Sequence, residues 1–169
     1  MKRREFLGST AATVAALSVN CEAMGQNRRK PNFIIVLCDD LGWGDIEPEG
    51  GTTIHTPNIN RMAAEGNVLT DYYAPQNICT PSRAGLLTGR YAIRTGLGYS
   101  VILPNDERRL RLSEVTIPAA LKSAGYVSAL FGKWHLGHTG PTWQTTRHGF
   151  DQFFGLPYSH DMTPLSLYT

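Results

Sequence analysis

Three short polar clusters combine residue types that can do chemistry. Asp39-Asp40 closes an apolar run. Two adjacent carboxylates repel each other and resist desolvation. A hard divalent cation offsets both costs, because carboxylate oxygens suit Ca2+ or Mg2+. A solvated turn or a helix N-cap would use the same pair. The second cluster runs from Cys79 to Arg90 as Cys-Thr-Pro-Ser-Arg-Ala-Gly-Leu-Leu-Thr-Gly-Arg. Pro81 and Ser82 suit a first helical turn, which sets Cys79 at a helix N-terminus. Free N–H groups and the positive dipole end favour an anion there and lower a thiol pKa. Arg83 lies about one helical turn further on and shares that face. A reactive group, an Arg and a helix N-terminus together suit a tetrahedral oxyanion. A cysteine-type phosphatase loop is one candidate, although it spaces Cys and Arg more widely; a packed structural Cys is another. The third cluster is Gly132-Lys133-Trp134-His135-Leu136-Gly137. Lys133 and His135 share a side if the segment stays extended. Both can donate to anionic oxygens, and His can also move a proton. An exposed loop with Trp134 packed inward is the plainer alternative.

These clusters need elements to hold them. The run 32–38, Asn-Phe-Ile-Ile-Val-Leu-Cys, suits a strand buried on both faces that ends at Asp39. In open α/β sheets, ligands sit beyond the carboxyl ends of strands. Thr56-Pro57 starts a helix, with Thr56 as N-cap, Pro57 at its first position and Gly66 as its stop. Ile59, Met62 and Ala63 give this helix an apolar face. A second strand is expected over 68–73 and a short helix from about Pro81 to Thr88, ended by Gly89. Another helix spans about 116–124, with Pro118 in its first turn and Gly125 closing it. A third strand covers 126–131. The alternation predicts an α/β fold with a mostly parallel sheet flanked by helices.

Composition narrows the class. The 169 residues suit one ordinary domain. A net charge of +2 is too balanced for a nucleic-acid binder that relies on bulk charge. Three Cys exclude a dense disulfide scaffold. Seventeen Gly and ten Pro are scattered among apolar runs and fit turns in a loop-rich fold. The N-terminus starts Met-Lys-Arg-Arg-Glu-Phe-Leu-Gly and continues into a mild apolar run over 10–19. A basic start, a short apolar core and a small-residue exit near Ala23 make an export signal over 1–23. The pair Arg3-Arg4 followed by Phe6-Leu7 gives it a twin-arginine character. Residues 24–31 are then a polar, basic linker and 32–169 the folded part. The expected location is the periplasm, or outside, of a bacterial cell.

The Cys79-Thr80-Pro81-Ser82-Arg83 pentapeptide with Leu87-Thr88-Gly89-Arg90 resembles the type I sulfatase motif. Residues 32–40 with Leu41-Gly42-Trp43-Gly44-Asp45 resemble that family's first strand and metal-binding segment. Gly132 to Gly137 is similar to its lysine–histidine motif, and Gly155-Leu156-Pro157-Tyr158-Ser159-His160-Asp161 is similar to arylsulfatases of the A type. The resemblance implies an alkaline-phosphatase-like fold, incomplete here on its C-terminal side. It implies that Cys79 is oxidised to Cα-formylglycine by a formylglycine-generating or anaerobic sulfatase-maturating enzyme, with Pro81 and Arg83 in the recognition sequence. One hydroxyl of the aldehyde hydrate attacks sulfur and expels the alcohol or phenol; the other loses its proton, the aldehyde re-forms, and sulfate leaves by C–O cleavage.

The same resemblance assigns roles. Asp39 and Asp40, with residue 79, hold Ca2+, Mg2+ being the other candidate. Arg83 steadies the diol and compensates the carboxylates. Lys133 holds a sulfate oxygen and the diol, and His135 orients or deprotonates the diol. Ser159 contacts sulfate, while His160 is left outside the contacting set. Substrates are sulfate esters, small or on glycans; the Tat translocon is the implied export partner. A phosphate or phosphonate monoester hydrolase of the same superfamily and a non-catalytic fragment are the competing readings. A further Asp–Asn metal pair, a later His acid and a later Lys are expected downstream of Thr169, so these residues alone should be inactive and poorly stable. Cys38 is expected to be a buried free thiol. His55, His138 and His148 are assigned to loops without a role.

Overall fold

The computed structural model describes residues 29–169. The expected export signal over 1–23 and most of the linker lie outside the described residues. The chain divides into two units, 1–38 and 39–169.

In the first unit, the run 32–38 carries no strand assignment and its apolar side chains are exposed, with Ile34 at 87%. The expected two-sided burial is therefore not observed. β-Branched apolar composition marks a segment that can be buried between layers; it does not supply the ladder that makes a strand. Cys38 is likewise exposed, against the expected burial, and both Cys38 and Cys79 are free thiols.

The second unit opens on a turn in which Asp45 Oδ2 accepts from the Gly42 N–H at 2.6 Å. A 3-10 helix follows at Glu47–Glu49. Helix α1, Pro57–Glu65, forms where Pro57 predicts it and ends at Gly66. Thr56 does not cap it with its side chain. Glu47 does that work from outside: its Oε2 accepts from the Thr56 N–H and from Asn60 Nδ2, each at 2.7 Å. These bonds and His55 hold the Glu47 carboxyl down at about 2. The apolar face of α1 is not covered; Met62 and Ile59 are exposed. The expected strand at 68–73 is a turn, closed by Tyr72 N–H donating to Leu69 O at 3.4 Å. Its β-forming residues have no ladder to join.

Helix α2, Cys79–Thr88, begins two residues earlier than expected and ends at Gly89, whose φ of 64° is the left-handed turn glycine tolerates best. The short helix α3, Ala92–Thr95, follows. Helix α4, Ile117–Lys122, is capped by Thr116, whose side chain accepts from the Ala119 N–H. The sheet is a parallel pair, β1 (Ala129–Lys133) and β2 (Gln152–Leu156), in register from Ala129↔Gln152 to Lys133↔Leu156. β1 lies later than the expected 126–131 and takes in Lys133 itself, and β2 was not anticipated. The pairing outlasts the strands: Trp134 N–H donates to Leu156 O and His135 N–H to Pro157 O.

Beside this pair sits the core: Ala84, Ala92, Leu97, Ile102, Leu110, Trp134, Leu136, Trp143 and Phe150. Trp134 is its centre, 1% exposed, with Phe150 edge-on and His148 at 5.4 Å. His148, expected in a loop without a role, is thus a core residue on the 3-10 turn Thr145–His148. His138, expected in a loop without a role, packs edge-on against Tyr158.

Two outcomes follow. A Cβ on Gly155 would lie 1.9 Å from Gly132 O, so Gly155→Ala must push β1 and β2 apart. It is expected to cost about 1–3 kcal/mol or more, read as a lower thermal midpoint. Burial holds the His148 imidazole below its ordinary 6.5, partly countered by the Thr142 carbonyl. Its unfolded form therefore takes up a proton first. Its contribution is complete above pH 6.5 and is lost as the pH falls towards the depressed folded value, at up to about 1.4 kcal/mol per pH unit. Melts against pH should show that slope, and His148→Gln should make it shallower.

Candidate active site

The candidate site is assembled at the start of the second unit from residues far apart in sequence. Asp39 and Asp40 stand at its beginning, Cys79 is the first residue of α2, Lys133 is the last residue of β1, and Ser159 follows β2. One ligand atom from each of Asp39, Asp40 and Cys79 lies within 4.8 Å of the others. Ile78, extended at φ −130° and ψ 154°, delivers Cys79 into the helix. The thiol therefore sits at the N-terminal end of α2, where Ser82 N–H already donates to Ile78 O and Pro81 has no N–H to offer. The side chain present is the unmodified cysteine, so its Sγ stands in for whatever oxygen a modified residue 79 would present.

Two cations meet the acidic pair. Lys133 Nζ donates to Asp39 Oδ2 at 2.5 Å, and Arg83 Nη2 reaches Asp39 Oδ1 at 3.5 Å. Partial burial alone would raise the Asp39 carboxyl; the bond from Lys133, with Arg83 behind it, outweighs that and holds it below the usual range. Both cations are themselves largely buried. Arg83 is fixed by Nη1 donating to Lys133 O at 2.7 Å, which ties α2 to the end of β1. Its Nε–H is buried with no hydrogen-bond acceptor among the described residues. Lys133 Nζ also donates to Ser159 Oγ at 3.3 Å, and Ser159 in turn hydrogen-bonds Asp161, whose carboxyl is lowered by that bond. His160 is exposed.

His135 departs from the expected geometry. Its φ of 57° breaks the extended path past Lys133, so the shared side does not arise from strand alternation. The imidazole is 1% exposed and its Nε2 is 2.8 Å from Ile102 O. Burial pushes its pKa below the ordinary value; the Ile102 carbonyl pulls it back, while Lys133 and Arg83 lower it further. Asp40, also at φ 57°, gives the site a second left-handed non-glycine residue.

Sequence reasoning gave Arg90 no role within the motif. Arg90 Nη1 donates to Glu114 Oε2 at 2.7 Å, and the Glu114 side chain is 5% exposed, so this pair anchors the far end of α2. No sequence spacing signals a partner at that separation.

A protein-family model described as Sulfatase matches residues 31–167. Arylsulfatase G of Canis lupus familiaris is 45% identical over 158 residues, covering 93% of this chain and 29% of that protein. The crystal structure of the PsFucS1 sulfatase from Pseudoalteromonas sp. superimposes with a TM-score of 0.70 at 38% identity, covering 95% of this chain and 31% of that one. A protein solved in complex with its substrate, D-glucosamine-2-N,6-O-disulfate, superimposes with a TM-score of 0.63 at 32% identity, covering 79% of this chain and 24% of that one. The chain therefore spans less than a third of the length of each of these relatives. Its α/β fold is that of the sulfatases, alkaline-phosphatase-like and here represented by part of the domain. With the family model covering most of the chain and the motif residues gathered at one point, this protein belongs to the sulfatase family.

Proposed function

We propose that this chain carries part of the active site of an enzyme that hydrolyses sulfate esters, with Cys79 converted to formylglycine. The observation that carries this reading is the convergence of Asp39, Asp40 and Cys79 within 4.8 Å, flanked by Lys133 and Arg83. A thiol at a helix N-terminus, two carboxylates and two largely buried cations make a site for a tetrahedral oxyanion and a hard cation together.

The donor set fits a divalent ion. Asp39 and Asp40 would hold it with residue 79, and they fill part of the 6–8 oxygen positions Ca2+ takes. We favour Ca2+ over Mg2+ because it tolerates the irregular shell that such a loop offers. When bound, the ion supplies Lewis acidity and neutralises negative charge. As a formylglycine hydrate, residue 79 supplies a nucleophilic hydroxyl and a second one for release.

The remaining work falls to this chain's own side chains. Lys133 Nζ, already shared between Asp39 and Ser159, can turn one of its protons to a sulfate oxygen. Arg83 Nε–H is a buried donor without an acceptor among the described residues, which suits an anionic oxygen at residue 79. His135 is held neutral by burial, so one ring nitrogen can accept a proton there. Ser159 contacts the sulfate through the hydroxyl that Lys133 already touches.

The substrate class is a sulfate ester, on a small aryl alcohol or a glycan; the structural relative bound to a disulfated glucosamine supports the glycan. Cys79 to Arg83 would be read by a separate maturation enzyme. Arg3-Arg4 with the apolar run 10–19 supports export by the Tat route to the periplasm or beyond.

Two measurements test this. After co-expression with a maturation enzyme, the peptide holding residue 79 should show the mass of an aldehyde or its hydrate. The matured full-length protein should turn over an aryl sulfate in preference to an aryl phosphate. An unaltered thiol there would remove the chemistry, and a phosphate preference would transfer it to the phosphomonoester side of the superfamily. In the matured protein, Lys133→Ala should cost about 10²–10³-fold in kcat, the loss seen when one preorganised donor is removed.

A further inference from the structure

Thr80 is fully buried, immediately after Cys79, and its hydroxyl closes a ring of three hydrogen bonds. The Ile102 N–H donates to Thr80 Oγ1 at 3.1 Å. That hydroxyl spends its single proton on His135 O, at 2.9 Å. The ring closes through the imidazole, because His135 Nε2 lies 2.8 Å from Ile102 O. A carbonyl only accepts, so Nε2 carries the proton. The ring is buried and neutral, which leaves Nδ1 with a lone pair. Nδ1 is itself buried and has no hydrogen-bond partner among the described residues.

Two costs therefore meet in His135: an open ring nitrogen out of water and a left-handed backbone. Such features persist where neighbours over-determine them. The neighbour that does so is Thr80, which grips the His135 carbonyl with one side of its hydroxyl and the Ile102 strap with the other. We propose that Thr80 is a positioning residue: its hydroxyl locks His135 into the Nε2–H tautomer and so keeps Nδ1 as the ring's open proton acceptor. The same residue joins the N-terminus of α2 to that histidine, so nucleophile position and base are set by one side chain.

The purpose of this lock rests on the sulfatase reading, but its existence is measurable without turnover. Nitrogen-15 spectra of histidine in the unmodified protein should show His135 with a pyridine-like Nδ1 and a protonated Nε2. Thr80→Val keeps the shape and removes the hydroxyl, and should move His135 Nδ1 towards the averaged position of mixed tautomers. Thr80→Ser should restore the wild-type signature. His148 is the internal control: its Nε2 lies 3.1 Å from Thr142 O, with no bond to Thr80, and should not move. A wild-type His135 protonated on Nδ1, or mixed, overturns the proposal without any variant. So does a Thr80→Val protein in which His135 is unchanged, or in which His148 shifts equally. In the matured full-length protein, Thr80→Val should lower kcat by about 10–100-fold with KM little changed, and Thr80→Ser should recover most of it. A matured full-length wild type that has the tautomer but lacks sulfatase turnover would sink the functional reading and leave the lock intact.

Discussion

The Asp39 carboxylate is the charge on which the site is built. It is partly withdrawn from water beside a second carboxylate, and it stays ionised because Lys133 and Arg83 are brought to it from β1 and α2. An acidic pair without those cations would repel itself or take up a proton. The cations without the acids would be two positive charges, each largely buried and facing the other. Each half makes the other tolerable, so loop, helix and strand end must arrive together. Arg83 donating to the Lys133 carbonyl adds a charge-assisted hydrogen bond to the ion pairs, so α2 and the end of β1 are tied there by more than charge pairing.

Around that balance the backbone is held in unusual shapes. Asp40 and His135 both sit at φ 57° although neither is glycine. Each lies next to a residue that makes the ionic contact, Asp39 in one case and, one residue away, Lys133 in the other. The left-handed step turns the chain sharply after a side chain has been delivered. At His135 that turn exchanges strand alternation for a buried ring bonded to Ile102. Trp134, between them, fills the core. One short segment thus gives a cation to the site, an indole to the interior and an imidazole to the boundary between them.

Caps and stops were legible in the sequence because they are local. Pro57, Gly66, Gly89, Thr116 and Pro118 lie at or beside helix ends, since a fixed φ, a left-handed turn or a capping hydroxyl acts within a few residues. Strands were less legible. The run 68–73 has strand-forming composition and is a turn, while 152–156 was passed over and pairs with β1. A ladder is a property of two segments, and Gly155 belongs to β2 only because its missing side chain lets Gly132 approach. Composition within one window carries neither fact.

The site divides along the same line. By itself the sequence determined the chemical inventory: the acidic pair, the thiol with its Arg one turn on, the lysine–histidine segment and Ser159. Residue types and short spacings suffice for that, since they decide which groups can ionise, donate or attack. Only the tertiary structure decided that Lys133 spends a proton on Asp39, that Arg90 leaves the chemistry for Glu114, and that Thr80 and Ile102 hold the histidine. Each of those is a choice among many acceptors by a donor whose partner lies tens of residues away. The choice falls to whichever polar atoms packing leaves side by side in the absence of water.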